Sequence, residues 1–144
     1  VDWLWRSQAT HWLSLRGIAT LDPLRGKDAA RVMPNTKGIY TEDGNKPCKS
    51  SVVARDKDDL RAADIILAHF PYNPPRQSVG SFMELGAVSL GMNKPVVLAT
   101  NVREIADHPF PNQFFTAVVS DLNTALTKVT LVAESLRSGK GGVV

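Results

Sequence analysis

Residues 64–100, DIILAHFPYNPPRQSVGSFMELGAVSLGMNKPVVLAT, decide the fold of this chain. The segment begins with one continuous apolar run, DIILAHF (64–70), and ends with another, KPVVLAT (94–100). Runs of this length are typical of strands that are buried on both faces. Between them, residues 79–92 have helical spacing, with Phe82, Leu85 and Val88 or Ser89 along one side. The segment therefore predicts a strand, a crossover helix and a second, parallel strand.

The sequence on either side of this unit predicts further helices. Residues 1–17 predict a first helix, with Trp5, Ala9, Trp12 and Leu13 on one face and Gly17 at its end. Residues 51–64 predict a second helix, with Ser51 as its N-cap. Residues 119–138 predict an amphipathic closing helix, followed by a frayed tail at 139–144. The inner stripe of the closing helix is formed by Leu122, Ala125, Leu126 and Val129.

The remaining segments are less regular. GIATLDP (17–23) predicts a short strand that runs into a turn, and residues 101–115 predict a loop with a short helix. Residues 25–50 show no periodicity, and a loop of that length is usually a functional cover or disordered. Because the chain opens within a helical pattern and lacks an initiator methionine, we expect an upstream first strand to be missing. The predicted fold is a single α/β domain (1–144) with a three-layer, flavodoxin-like or Rossmann-like parallel sheet.

The composition narrows the classes of partner. The chain has 144 residues, of which 43% are hydrophobic and 22% charged, as in globular domains. Its net charge of +3 is spread along the sequence without a basic stripe interleaved with aromatics, which argues against a nucleic acid polymer but leaves room for a small anionic ligand. The single cysteine, Cys48, cannot form an internal disulfide, which favours a cytoplasmic location. No apolar run reaches the length of a membrane span.

Glu84, within residues 64–100, is a candidate functional residue. It follows a loop at the carboxyl end of a predicted parallel strand, where α/β proteins usually place their chemistry. Gly80 and Ser81 would let a ligand approach the backbone, and the free N–H groups at a helix start bind anions. The alternative is a charge that favours the start of a helix. Ser78 has the same two interpretations, an N-cap or a group that holds a phosphate or sugar oxygen.

Other reactive residues carry weaker signals. Asp56 lies in an acidic cluster that usually forms a solvated face paired with neighbouring basic residues. His69 and His108 have no partners at a metal-ligand spacing, so we predict no metal site. Cys48 lacks an evident base. Neither Gly-x-Gly-x-x-Gly nor a Walker loop occurs, and no cofactor is predicted.

Taken together, these motifs resemble the nucleoside 2-deoxyribosyltransferase family, which includes the 2′-deoxynucleoside 5′-monophosphate N-glycosidases. The motifs that carry the resemblance are Arg55-Asp56, Ala63-Asp64, Ser78-x-Gly80-Ser81-x-x-Glu84-Leu85-Gly86 and Asn93-Lys94-Pro95-Val96. Residues 5–26, ending in Asp-Pro-x-Arg, resemble the family's first helix and second strand more loosely. The resemblance spans roughly residues 5–126 and is specific in its middle third.

The resemblance implies a reaction and a set of site residues. Glu84 would be the nucleophile that attacks the anomeric carbon of the sugar, and Asp56 would donate or relay a proton to the leaving base. The residues that would bind substrate are Ser78, Gly80, Ser81, Arg25 and Asn112, the last acting from a neighbouring subunit. Together with the apolar helix faces around Phe82 and Val88, the resemblance implies a homodimer or higher homo-oligomer.

Three alternatives remain for the function. Transfer follows if a second base accepts the deoxyribosyl group, and hydrolysis follows if water does. A serine at position 78, where transferases often have an acid, is similar to the monophosphate N-glycosidases and favours a 5′-phosphate. The third alternative is a nucleotide-binding module without catalysis.

Overall fold

The computed structural model describes residues 4–23, 49–71 and 79–141. Its elements, in chain order, are α1 (Leu4–Ser14), α2 (Lys49–Ala62), β1 (Ile66–Phe70), α3 (Val79–Gly86), a π-helical turn that we call the π segment (Ala87–Gly91), β2 (Val96–Thr100), α4 (Arg103–Ala106), α5 (Pro109–Phe114), β3 (Ala117–Val119) and α6 (Leu122–Gly141). The chain divides into two compact units: a smaller one, Leu21–Ala63, and a larger one that contains the sheet.

The sheet is parallel, with β2 between β1 and β3 in the described part of the chain. Residues 66–70 of β1 pair with residues 96–100 of β2, and residues 97–99 pair with residues 117–119 of β3. All five residues of β2 are buried, which is why its sequence is a continuous apolar run. The predicted α/β fold with a parallel sheet is confirmed.

Helices cover both faces of this sheet. On one face, α1 and α6 pack against Val97 and Ala99 of β2, and the cluster is completed by Ala9, Leu13, Ala125, Leu126 and Val129. On the other face, Leu98 packs with Val102 and Ile105, and Phe82 of α3 joins them. Alternation along β2 therefore divides one apolar run between two cores. The inner faces predicted for α1 and α6 are confirmed.

Residues 17–23 do not form the predicted strand. Gly17 has φ +70° and ends α1, with the N–H of Ile18 donating to the carbonyl of Leu13 and that of Gly17 to the carbonyl of Ser14. This pair of hydrogen bonds is a Schellman cap. Within the described residues, 18–22 pair with no strand. The side chain of Arg137 donates to the carbonyl of Gly17 and reinforces the cap. Gly17 was thus predicted correctly as the helix end.

Three other elements differ from expectation. Strand β3 was not predicted, since its three residues are too short to show a period. Helix α6 runs to Gly141 and includes part of the tail predicted to be frayed. Ser51 lies inside α2, which begins at Lys49, and so is not its N-cap. No helix of the described residues is long and apolar enough to cross a membrane.

Asp121 caps α6 and makes the helix start sensitive to pH. Its carboxylate accepts the N–H of Thr124 at 2.8 Å and the hydroxyl of Thr124 at 2.8 Å. These hydrogen bonds, the backbone one foremost, lower the pKa of Asp121. The charged form is thus favoured in the folded state, so its contribution to stability is present above the unfolded pKa, about 3.9, and is lost as pH falls through the folded pKa.

We therefore expect Asp121→Asn to keep the cap but lose its acid sensitivity, because Asn is a good N-cap that does not titrate. The melting temperatures of both proteins would be measured from pH 6 to pH 2.5. The difference between them should shrink as the wild-type carboxylate is protonated. A difference that is constant with pH would contradict the assignment.

Candidate functional site

The carboxyl ends of the three strands lie at one edge of the sheet, since all are parallel. Strand β1 leads through residues 71–78 into α3, β2 leads through Asn101 and Val102 into α4, and β3 leads through Ser120 and Asp121 into α6. This edge is the place where side chains from several loops can meet a ligand, and we call it the carboxyl edge.

The buried side chain of Thr100 holds the ends of β1 and β2 together at the carboxyl edge. Its side chain is buried, and its hydroxyl donates to the carbonyl of Phe70 at 2.8 Å and accepts the N–H of Val102 at 3.1 Å. The hydroxyl thus provides a hydrogen-bond partner both for the carbonyl of the last residue of β1 and for the N–H of the residue that follows Asn101. It sets where the chain leaves both strands.

Replacing Thr100 with Val should lower the free energy of unfolding by about 1–3 kcal/mol, since two backbone groups lose their partner while the side-chain shape is kept. Thr100→Ser is the matched control because it keeps the hydroxyl and loses only a methyl group. Urea unfolding of the three proteins measures the difference. A valine variant as stable as the wild type would contradict the role of the hydrogen bonds, whereas a destabilised serine variant would show that the methyl group contributes as well.

The orientation of α3 is set by aromatic packing. The rings of Phe70 and Phe82 stack with centroids 4.8 Å apart and planes 9° from parallel. Leu85 and Val88 are buried. Because Phe82 packs against the cluster around Leu98 and Val88 is fully buried, this helix face gives no support for a dimer, and the homo-oligomer stays a prediction.

Glu84 lies on the opposite side of α3 and is exposed. It is the sixth residue of the helix, in its second turn, about 7.5 Å along the axis from Val79 at 1.5 Å per residue. The effect of the helix dipole falls off beyond the first turn, so the interpretation of Glu84 as a charge at the helix start loses support. Gly80 and Ser81 occupy the first turn, nearer the carboxyl edge, and Ser81 is half-buried.

After α3 the helix widens into the π segment. The N–H of Met92 donates to the carbonyl of Ala87, and that of Lys94 to the carbonyl of Val88. Asn93 then takes a left-handed conformation, with φ 51°, and ends the helix. Single π turns within α-helices occur frequently at functional sites. Here the hydroxyl of Ser89 donates to the carbonyl of Phe114 at 2.7 Å and connects the π segment to α5.

Asp56 lies in the smaller unit, on α2, and differs from the acids beside it. Asp58 forms an exposed ion pair with Arg61 at 3.1 Å, as expected for a solvated helix face. Asp56 is half-buried, and its Oδ1 is shielded from solvent. Removing a carboxylate from water is costly, so this position is not an ordinary surface charge.

Asn112 lies on α5 and is exposed, and its amide nitrogen donates to the carbonyls of Ala106 at 2.6 Å and His108 at 2.9 Å. Both donors thus hold the α4–α5 connection. His108 caps α5 by accepting the N–H of Phe110 on Nδ1 at 3.2 Å. His69 packs edge-on against Trp5, with centroids 5.3 Å apart. In the described ranges no three His, Cys, Asp or Glu side chains form a group that could hold a metal ion.

The structure brings Gly80, Ser81 and Glu84 together on one helix. Arg25, Ser78, Cys48 and residues 25–48 of the predicted loop 25–50 lie outside the described residues. Lys49 and Ser50, predicted as the end of that loop, belong to α2. Thr100 was not singled out from the sequence. The sequence feature that could have identified it is a hydroxyl residue at the carboxyl end of a buried strand.

No family model, curated protein or solved structure matches this chain.

Proposed function

We propose that the chain cleaves the N-glycosidic bond of a 2′-deoxynucleoside through a covalent glycosyl-Glu84 intermediate and transfers the deoxyribosyl group to another base. The proposal starts from the resemblance to the nucleoside 2-deoxyribosyltransferase family. The observation that supports it best is the exposed carboxylate of Glu84 on the helix that follows the carboxyl end of β1. We also propose that the sheet has the flavodoxin-like arrangement predicted from the sequence.

In this reaction the carboxylate of Glu84 is the nucleophile of the first step and the leaving group of the second. An oxygen of Glu84 attacks the anomeric carbon, the carbon–nitrogen bond breaks, and the base leaves with the bonding electrons and takes up a proton. Asp56 is the group that donates or relays this proton. In the second step a nitrogen of an acceptor base attacks the same carbon, its proton passes to the carboxylate of Asp56, and the carboxylate of Glu84 is released. Two displacements at one carbon retain its configuration.

The other residues bind substrate in this proposal. Ser78, Gly80 and Ser81 contact the sugar or a 5′-phosphate at the start of α3, where the first N–H groups of a helix lack intrahelical acceptors. Arg25 supplies positive charge, and Asn112 completes the site from a neighbouring subunit. The enzyme would need neither metal nor other cofactor, and it would act in the cytoplasm on a small molecule.

Two alternatives predict different outcomes: hydrolysis in one and no turnover in the other. If water replaces the acceptor base, the chain is a hydrolase of 2′-deoxynucleoside 5′-monophosphates, which Ser78 favours. If Glu84 only binds, the chain is a nucleotide-binding module without turnover.

The test is incubation of the full chain with deoxynucleosides and their 5′-monophosphates, with and without a free acceptor base, followed by chromatography. Base exchange that requires the acceptor supports transfer. Base released without an acceptor supports hydrolysis, and the preferred phosphorylation state identifies the substrate. Binding of these ligands with no product in either condition would overturn the enzymatic proposal.

A further inference from the structure

Helix α5 carries Asn112 but has no buried face of its own. None of its six residues is buried, and Phe110 and Phe114 are 62% and 45% exposed. The burial of an apolar stripe, which orients α3 and α6, therefore does not orient α5. A helix of this kind depends on hydrogen bonds to its neighbours for a fixed position.

Hydrogen bonds hold α5 at both ends. At its start, the amide of Asn112 donates to the carbonyls of Ala106 and His108. At its end, the hydroxyl of Ser89 donates to the carbonyl of Phe114 at 2.7 Å. The first pair fixes the orientation of the Asn112 side chain on its own helix, and the Ser89 bond fixes that helix against the π segment.

The hydrogen bond of Ser89 differs from those of other hydroxyl residues in the helices of this chain. In helices, a serine or threonine hydroxyl often bonds to a carbonyl one turn earlier in the same helix. The residues that do so here are Ser14, Thr127 and Thr130. Ser89 is half-buried and instead reaches a carbonyl 25 residues away along the chain. Its bond therefore serves the contact between two elements and not the helix that contains it.

The position of Glu84 does not depend on this bond. Helix α3 continues directly into the π segment, but α3 is held on the sheet by the packing of Phe82 against the cluster around Leu98. Beyond α5, the N–H of Thr116 donates to the carbonyl of Val96 at 2.9 Å and anchors the chain before β3. Loss of the Ser89 hydroxyl would therefore loosen α5 and leave the sheet and α3 in place.

We infer that Ser89 is a positioning residue for the substrate contact of Asn112. Asn112 lies two residues before the carbonyl that accepts the Ser89 bond, so a shift of α5 moves its amide relative to the substrate. The inference rests on the proposed function, which assigns that contact to Asn112 in the site of a neighbouring subunit. Ser89 lies outside every motif that carries the family resemblance.

Steady-state kinetics of the full chain, with 2′-deoxyadenosine as donor and hypoxanthine as acceptor, test the inference first. Ser89→Ala should raise KM about 3–10-fold, the range expected for one lost hydrogen bond, and change kcat less than about two-fold because Glu84 keeps its place. Ser89→Thr keeps the hydroxyl and should retain the wild-type KM. Thr127→Ala is the matched control, since it removes an exposed hydroxyl that bonds within α6, and it should change neither constant.

A double-mutant cycle separates positioning from a purely structural role. Asn112→Ala should itself raise KM, and in that background Ser89→Ala should add no more than about 1.5-fold, because the group that Ser89 positions is gone. An unchanged KM in Ser89→Ala alone, or the same increase with and without Asn112, would overturn the inference and leave the proposed function intact.

A binding measurement distinguishes failure of this inference from failure of the proposed function. Glu84→Gln removes the proposed nucleophile, so calorimetry with 2′-deoxyadenosine in that background measures Kd without turnover. The same cycle should appear in Kd, about 3–10-fold for Ser89→Ala and no more than about 1.5-fold once Asn112 is replaced. If the wild type turns over no nucleoside but the cycle appears in Kd, the proposed reaction is wrong and the role of Ser89 stands. If 2′-deoxyadenosine does not bind, both are overturned.

Discussion

Replacing Glu84 with Gln is expected to lower turnover of deoxynucleosides by at least about 10³-fold. The amide keeps the shape and most polar contacts of the side chain but is a far weaker nucleophile, so the glycosyl-enzyme cannot form. Glu84 is exposed on α3, so its replacement should change the free energy of unfolding by no more than about 0.5 kcal/mol. Turnover by chromatography and thermal melting measure the two effects.

Glu104→Gln is the matched control, an exposed glutamate on α4 that carries no proposed role. It should retain wild-type turnover. A 2′-fluorinated nucleoside adds a second readout, because fluorine next to the reacting carbon slows breakdown of the intermediate. Mass spectrometry should then find one fluorinated sugar on the peptide that contains Glu84. Normal turnover by Glu84→Gln, or a sugar on another residue, would show that Glu84 is not the nucleophile.

The sequence predicted the parts of the fold that depend on burial. Strands β1 and β2 were found because a strand covered on both faces needs an uninterrupted apolar run. The three residues of β3 carry too little pattern, and only their pairing with β2 defines them. Residues 17–23 look like a strand locally, but Gly17 at positive φ ends α1 with a Schellman cap instead.

The candidate site was predictable to a smaller degree. The motif around Glu84 identified the helix and its position after β1, but helical spacing marks an apolar face without saying what covers it. For this reason the apolar residues Phe82 and Val88 suggested a partner subunit, although Phe82 packs against the cluster around Leu98 and Val88 is fully buried within the chain. The hydrogen bonds of Thr100 and Asn112 could not be predicted from the sequence either, because the carbonyls that accept them come into place only when the chain folds.

Replacing Asp56 with Asn is expected to lower kcat/KM for natural purine deoxynucleosides by about 10²–10⁴-fold, the range of general acid catalysis. The asparagine cannot supply the proton that a neutral purine takes up as it leaves. Asp58→Asn is the matched control: a nearby acid on α2 whose ion pair with Arg61 is exposed, so its loss should matter little. Steady-state kinetics of the two variants make the comparison.

The nature of the leaving base separates proton donation from a structural role. A 7-methylated purine already carries a positive charge in the nucleoside and leaves as a neutral base, so its departure needs no proton. If Asp56 acts as an acid, Asp56→Asn should lower kcat/KM for the methylated nucleoside only a few-fold while the natural purine loses about 10²-fold or more. Because Oδ1 of Asp56 is shielded from solvent, its replacement could also disturb α2. That effect would slow both substrates equally, and equal losses would therefore assign Asp56 to structure instead of proton transfer.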